Sequence, residues 1–156
     1  MSVATGLVRR LPLTKTDDPG LMARIVRLQL LAAEQLESVT ADHGIAFNDY
    51  LVLGVIRRAP SGRCAPSFVC ETLHRTSGGM TLTLDRLERS GWVLRDRDEG
   101  DRRRVVLRLT PAGRALAKGV NASLHVWEAS LGRVASAPRL RALTSGLDQL
   151  LDLFEP

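Results

Sequence analysis

The stretch that decides the fold lies at residues 76–113 and is TSGGMTLTLDRLERSGWVLRDRDEGDRRRVVLRLTPAG. It begins with a helical pattern, because Met80, Leu84 and Leu87 recur at intervals of four and three and therefore share one face of a helix. Ser77 precedes that face and is a suitable N-cap, and Gly91 follows it as a typical C-terminal stop. The pattern predicts a helix with one side packed against a core.

A hairpin and a second helix follow without a gap. Residues 92–97 and 103–109 alternate roughly between apolar and charged side chains, which predicts two strands. Residues 98–101 (Asp-Glu-Gly-Asp) between them are typical of a turn. Thr110 is a suitable cap for a new helix, with Pro111 at its favoured first position. Helix, basic hairpin and helix in this order indicate a winged helix-turn-helix, a fold that binds nucleic acid.

Several of these residues resemble the motifs of the MarR (multiple antibiotic resistance regulator) family. The Asp-x-Arg and Leu-Thr-x-x-Gly motifs of that family match residues 101–103 and 109–113. Residues 77–81 and 85–91 also resemble the family's recognition helix, and the close match covers about residues 65–116. The resemblance implies a dimeric DNA-binding transcriptional regulator that often responds to a small aromatic or phenolic acid.

Composition agrees with that interpretation. The chain has 156 residues and a formal net charge of +5, which favours a polyanionic partner. Nearly all the positive charge is arginine, with lysine only at Lys15 and Lys118. The beginning of the chain has no apolar signal core, and two cysteines suit a reduced compartment, so we expect a cytoplasmic protein. The sequence contains no phosphate-binding loop or nucleophile elbow, and we expect neither an enzyme nor a cofactor.

The remaining chain predicts a mainly α fold with a small β-hairpin wing. We divide it into a flexible arm at 1–19, a dimerisation helix at 20–46, the winged helix-turn-helix at 47–109, and dimerisation helices at 110–156. The second helix is expected from Asn48, as its cap, to Arg58, with Leu51 and Val55 buried. Residues 59–63 are typical of a turn, and a short helix is expected at 66–73.

Both ends of the chain have long apolar stripes at helical spacing. The first helix has Leu21, Ile25, Leu28, Ala32, Leu36 and Val39; the helix from Thr110 has Leu116, Val120, Leu124, Trp127, Leu131 and Val134; the last has Leu140, Leu143, Leu147, Leu150 and Phe154. Residues 136–138 should separate the last two helices. A lone winged helix cannot cover all three stripes, so we expect a two-fold homodimer. The alternative is that the terminal helices fold back as an intramolecular cap.

The candidate DNA-binding residues lie in the predicted recognition helix and wing. They are Ser77, Gly78, Thr81, Thr83, Arg86 and Arg89 in the helix and Asp101, Arg102 and Arg103 in the wing. By resemblance, the Asp101 carboxylate orients Arg103. Many relatives have Asn and Arg where this chain has Leu82 and Thr83, so its base preference should differ, because leucine offers only apolar contact. An alternative is a protein-interaction module that uses the Leu82 face.

Candidate sensor residues are less well determined. His43, Tyr50 and Trp127 are candidates to line an effector site where the dimerisation helices meet the DNA-binding region, with an arginine for the acid group. Each of them is also a plausible structural residue. Cys64 and Cys70 bracket a helix start, and a thiol there is an alternative redox sensor. The histidines and cysteines lack the spacing of zinc ligands, so no metal is expected.

Overall fold

The computed structural model describes residues 20–97, 104–133 and 135–154. Its helices are α1 (Gly20–Ala41), α2 (Phe47–Arg58), α3 (Pro66–Thr72), α4 (Ser77–Arg89), α5 (Pro111–Leu131) and α6 (Ala137–Phe154), with a 3₁₀ turn at Pro60–Gly62. Its strands are β1 (Arg63–Cys64), β2 (Val93–Arg97) and β3 (Val105–Leu109). The chain is therefore mainly α with a small antiparallel sheet, a winged helix-turn-helix flanked by long helices. This is the predicted fold class.

Local chemistry explains most helix ends. Thr110 caps α5 by accepting a hydrogen bond from the Gly113 amide at 2.9 Å, with Pro111 as the first helical residue. Gly91 follows α4 with a φ of 73°, a left-handed conformation in which glycine is unstrained. Both ends agree with the sequence prediction.

The two predicted side-chain caps upstream are wrong by one or two positions. Thr76, not Ser77, caps α4 and accepts from the Gly79 amide at 3.4 Å. Ala46, not Asn48, precedes α2, and it makes no side-chain cap bond. The Asn48 side-chain oxygen instead accepts a hydrogen bond from Arg75 at 2.6 Å, which ties the start of α2 to the turn before α4. The Asn48 oxygen is therefore bonded to the Arg75 guanidinium, 27 residues away in the sequence, and not to a helix amide.

The buried face of α2 also differs from the prediction. Val52, Leu53 and Ile56 are buried, whereas Leu51 and Val55 are only half-buried. The helix packs against α5 on one side and β3 on another, so its buried surface is broader than a single stripe and is centred one residue later. A helix that lies between two other elements does not show a simple amphipathic period.

The sheet has the strand order β1-β3-β2, and both pairings are antiparallel. In the hairpin, Val93 pairs with Leu109 and Arg97 pairs with Val105. The two-residue strand β1 pairs with the other edge of β3, where Arg63 lies opposite Arg108. Sequence analysis treated this segment as part of a turn, because two residues are too few to show an alternating pattern.

The core lies where α2, α4, α5 and the sheet meet. Its fully buried side chains include Leu53, Leu87 and Leu107. The terminal helices are different: none of the described residues of α6 is buried, and Leu147 and Leu151 are about half exposed. α1 packs against α2 and α5 but leaves Leu21 and Leu28 more than half exposed. Across the described ranges, no helix combines the length and the apolar character needed to cross a membrane.

Candidate nucleic-acid interface

Helix α4 is fixed to the core by one face. Met80, Leu84 and Leu87 are at most 3% exposed, as their spacing predicted. Burial of three such side chains contributes up to about 1.5–3 kcal/mol each relative to exposure, so this contact strongly favours one orientation of the helix. The opposite face, which includes Gly78, Leu82 and Arg89, is exposed.

An ion pair between α4 and α2 holds the helix in a second place. The Arg86 Nε atom donates to Asp49 Oδ2 at 2.8 Å, and its Nη2 atom donates to Asp49 Oδ1. The Asp49 side chain is 5% exposed, and that of Arg86 is 51% exposed. The hydrogen bonds to Asp49, followed by its negative charge, raise the pKa of Arg86. Asp49 lies in the first turn of α2, where the helix dipole also favours a carboxylate.

This pair changes the expected role of Arg86, which sequence analysis assigned to DNA. Its fork-shaped guanidinium binds a protein carboxylate in the bidentate manner that arginine favours. Sequence reasoning missed Asp49 as its partner, because 37 residues separate the two. The available signal was an aspartate at the start of a helix, directly before the apolar run at 50–56, a position where an acid needs a partner.

The wing is attached to α4 through Arg95. Its guanidinium contacts the Asp85 carboxylate at 2.6 Å and the Glu88 carboxylate at 3.0 Å. Arg108 of β3 donates to Asp96 of β2 at 2.8 Å, and this hydrogen bond lowers the pKa of Asp96. These partly exposed pairs add little stability singly; the Arg95 pairs join the hairpin to α4, and the Arg108–Asp96 pair joins its two strands. Arg95 and Arg108 are thus bound to acids within the protein.

The Leu-Thr-x-x-Gly motif connects the wing to α5. The Thr110 hydroxyl donates to the Gly91 carbonyl at 2.7 Å, and the Thr110 amide donates to the Trp92 carbonyl at 3.0 Å. A Cβ atom on Gly113 would lie 2.0 Å from that same Trp92 carbonyl oxygen. Only glycine allows the first turn of α5 to approach β2 this closely. The motif therefore has a structural role.

The predicted DNA-binding residues form one surface where the structure describes them. Gly78, Thr81 and Arg89 are exposed, and Thr83 is half-buried. Asp101, Arg102 and Arg103 lie outside the described residues. At the wing base, Arg97 and Arg104 are exposed. The carboxyl-terminal half of α4 is joined to an arginine-containing hairpin through Arg95, and the amino-terminal end of the helix is exposed.

Comparisons with known proteins agree with this geometry. The sequence profile of the MarR family matches residues 43–104. The regulator PecS of Dickeya dadantii is 36% identical over 92 residues, which are 58% of this chain and 55% of PecS. The crystal structure of Streptococcus pneumoniae FabT in complex with DNA is 31% identical, with a TM-score of 0.64, and covers 71% of this chain and 76% of FabT. The chain belongs to the MarR family.

A further structure extends the similarity in fold. Wild-type MarR from E. coli, in its apo form, has a TM-score of 0.72 at 24% identity and covers 85% of this chain and 98% of that one. The match to PecS spans only about half of that protein's length. The long terminal helices of the present MarR-family chain are thus shared in fold with MarR itself.

The candidate effector residues of this MarR-family chain lie along α5. His43 Nε2 lies 2.9 Å from the Ser123 hydroxyl, and the Tyr50 hydroxyl donates to Asn121 Oδ1 at 2.9 Å. Arg57 also approaches Asn121 Oδ1, at 3.4 Å. The structure therefore brings His43 and Tyr50 to two residues within one turn of α5, with an arginine beside Tyr50. Trp127 is half-buried about one turn beyond Ser123.

The two cysteines are free thiols. Cys64 is buried in β1, and burial raises the pKa of its thiol. A raised pKa lowers the fraction of reactive thiolate, which is the opposite of what a redox-sensing cysteine needs. Cys70 in α3 is half-buried. Within the described part of the chain, no three His, Cys, Asp or Glu side chains form a group able to hold a metal ion.

Proposed function

We propose that this chain is a transcriptional regulator that binds a pseudo-palindromic operator as a homodimer and represses by occluding a promoter. The observation that supports it most directly is α4, whose inward face is buried while its outward face is exposed, with a basic hairpin packed against its carboxyl-terminal half. A recognition helix of this kind enters the major groove by its amino-terminal end, and the wing meets phosphates or the minor groove. Such a protein acts on the chromosome, and we place it in the cytoplasm.

The exposed terminal helices support the homodimer. Leu21 and Leu28 in α1 and Leu143 and Leu147 in α6 are 47–57% exposed in the single chain. Apolar surface on this scale is unfavourable in water and is typical of a face that another protein surface covers. A second copy supplies the same stripes by symmetry and places two α4 helices on one side of the duplex.

The effector part of the proposal rests on the junction of α1, α2 and α5. An acid that entered there would find the Arg57 guanidinium and the Tyr50 hydroxyl together at Asn121 of α5, with His43 at Ser123 two residues farther along. An aromatic or phenolic acid suits an arginine beside a phenol ring. Binding would bias the dimer between conformations that fit and do not fit the operator.

The test is binding of the purified protein to duplex DNA from its own upstream region, with competitor DNA and varied salt. We expect footprint protection of two half-sites about one helical turn apart and affinity that falls steeply with salt. Arg103→Ala should lower the salt slope by about one, as expected for a lost phosphate contact. Arg141→Ala removes the same charge from α6 and should leave the slope unchanged. Equal slopes for all three proteins would contradict the wing contact.

A second function is favoured by one observation. Leu82 is 68% exposed at the centre of the outward face of α4, and such a side chain also suits a protein partner. A winged-helix interaction module would bind DNA weakly and without sequence preference. Binding that competitor abolishes at every salt concentration would favour this alternative over the operator-binding regulator.

A redox-sensing regulator that uses Cys64 or Cys70 is the remaining alternative. The buried Cys64 thiol does not support it, and Cys70 is the more accessible of the two. Peroxide treatment followed by the footprinting assay separates the versions. The redox version predicts that peroxide abolishes footprint protection by the native protein but not by Cys70→Ser.

A further inference from the structure

The outward face of α4 has one large apolar side chain at its centre. Leu82 is the most exposed large apolar residue among the described positions from α2 to β3. Gly78 lies one turn earlier on the same face, and a Cβ atom there would have no heavy atom within 4 Å apart from its chain neighbours and the backbone of its own helix. The space beside Leu82 is therefore open, and a base-pair edge can approach it closely.

The threonines beside Leu82 use their hydroxyl protons within the helix. Thr81 Oγ1 donates to the Ser77 carbonyl at 3.0 Å, and Thr83 Oγ1 donates to the Gly79 carbonyl at 3.2 Å. A hydroxyl has a single proton, so neither threonine has a second one to donate to a base.

Two charged residues of this face are also bound within the protein, and the third, Arg89, lies at the carboxyl-terminal end of α4, away from the end that enters the groove. Arg86 donates to the buried Asp49, and Asp85 accepts from Arg95 at 2.6 Å. Arg86 is therefore unavailable for a bidentate contact to guanine unless Asp49 is left buried without its partner. Pairing with Arg95 also offsets the repulsion between Asp85 and DNA phosphates.

We infer that Leu82 recognises the C5-methyl group of thymine in the major groove, so that base preference rests on apolar contact rather than on hydrogen bonds to guanine. This inference rests on the proposed DNA-binding function and names the base class that it selects. Thymine is the unmodified base that presents a methyl group in the major groove, and aliphatic side chains contact it. The contact removes both methyl surfaces from water.

Deoxyuridine offers a direct test, because it pairs like thymidine and lacks only the methyl group. High-affinity duplexes are first selected with the purified protein from a random-sequence pool, and each thymidine of the half-site is then replaced singly by deoxyuridine. At the contacted position, we expect the wild-type protein to bind about fourfold more weakly, as for the loss of one buried methyl group. Leu82→Ala should bind the two duplexes equally, and Leu82→Met should retain the difference.

The controls separate this inference from the proposed function. Leu82→Ala should fold normally, because the position is exposed and alanine favours helices. Leu94→Ala, which shortens an exposed leucine on β2, should retain the preference for thymidine. The inference is overturned if the wild-type protein binds a selected duplex but loses no affinity at any deoxyuridine. It is also overturned if Leu82→Ala loses as much affinity at the deoxyuridine as the wild type does. In both cases the proposed DNA-binding regulator stands. If no duplex can be selected, both are overturned.

Discussion

Replacement of Gly113 by alanine tests the junction between the wing and α5 most directly. The new Cβ atom would lie 2.0 Å from the Trp92 carbonyl oxygen, 2.9 Å from its carbon and 3.1 Å from its Cα atom. Since Cβ atoms essentially never approach another heavy atom within 3.0 Å, the first turn of α5 must move by at least 3.0 − 2.0 = 1.0 Å. That movement strains or breaks the 3.0 Å hydrogen bond from the Thr110 amide to the same oxygen.

The expected loss follows from these contacts. Forced overpacking costs about 1–3 kcal/mol, and a lost hydrogen bond costs about 1 kcal/mol. Alanine in place of glycine regains about 0.5–1 kcal/mol of helix stability. The free energy of unfolding should therefore fall by about 2 kcal/mol.

Gly119 provides a matched control in the same helix. Its added Cβ atom would lie 3.4 Å from His43 Cε1 and 3.5 Å from His43 Nδ1, which are ordinary contacts. Gly119→Ala should stabilise the protein by about 0.4–1 kcal/mol. Urea unfolding followed by far-UV circular dichroism, at one protein concentration, measures both changes. If Gly113→Ala unfolds within about 0.5 kcal/mol of the wild type, or if both variants lose stability equally, contact with Trp92 is not the reason for the glycine.

Three further perturbations have defined outcomes. Arg86→Ala leaves the buried Asp49 carboxylate without its partner and should lower the free energy of unfolding in urea by about 1–3 kcal/mol. Arg89→Ala, on the exposed face, should change that free energy by less than about 0.5 kcal/mol. Equal effects of the two substitutions would argue against the ion pair. Burial raises the pKa of Cys64, so its thiolate stays scarce until the pH exceeds the ordinary thiol value of 9.0. A thiol reagent at neutral pH should therefore modify Cys70 before Cys64, as followed by mass spectrometry. The opposite order would contradict the burial of the Cys64 thiol. Leu147→Glu places a charge on the exposed apolar stripe of α6. The mass measured by sedimentation should then fall from that of the proposed dimer, twice 17.1 kDa, toward that of the single chain. A variant that remains dimeric would exclude this face of α6 from the dimer interface.

Much of the fold could be predicted because its signals are local. The spacing of Met80, Leu84 and Leu87 gave the inward face of α4, and the Thr110-Pro111 pair gave the start of α5. Each of these features depends on residues within a turn or two of one another. The exposed, glycine-containing start of α4 was predicted in the same way.

What was missed depends on contacts between distant segments. Asn48 has the chemistry of a cap, but Arg75 binds its oxygen. Arg86 has the chemistry of a phosphate-binding residue, and its bidentate pairing with the buried Asp49 could not be seen from the sequence. Strand β1 forms only because β3 offers a free edge to two residues. In each case a side chain or backbone group could bond to more than one partner. Which partner it bonds to depends on segments that come together only in the folded chain.

The junction at Thr110 has a mechanical consequence. This single residue separates Leu109 at the end of β3 from Pro111 at the start of α5. Its amide, hydroxyl and carbonyl groups are all hydrogen-bonded, which holds the end of the strand and the start of the helix in a fixed relation. Hairpin and helix must therefore turn as one body. At 1.5 Å per residue, the 21 residues of α5 form a lever about 30 Å long, so a tilt of about 5° at its far end moves the hairpin by about 2.5 Å. In the proposed homodimer, a small rotation where two copies meet thus becomes a displacement as large as the difference between a fitting and a non-fitting contact with a phosphate.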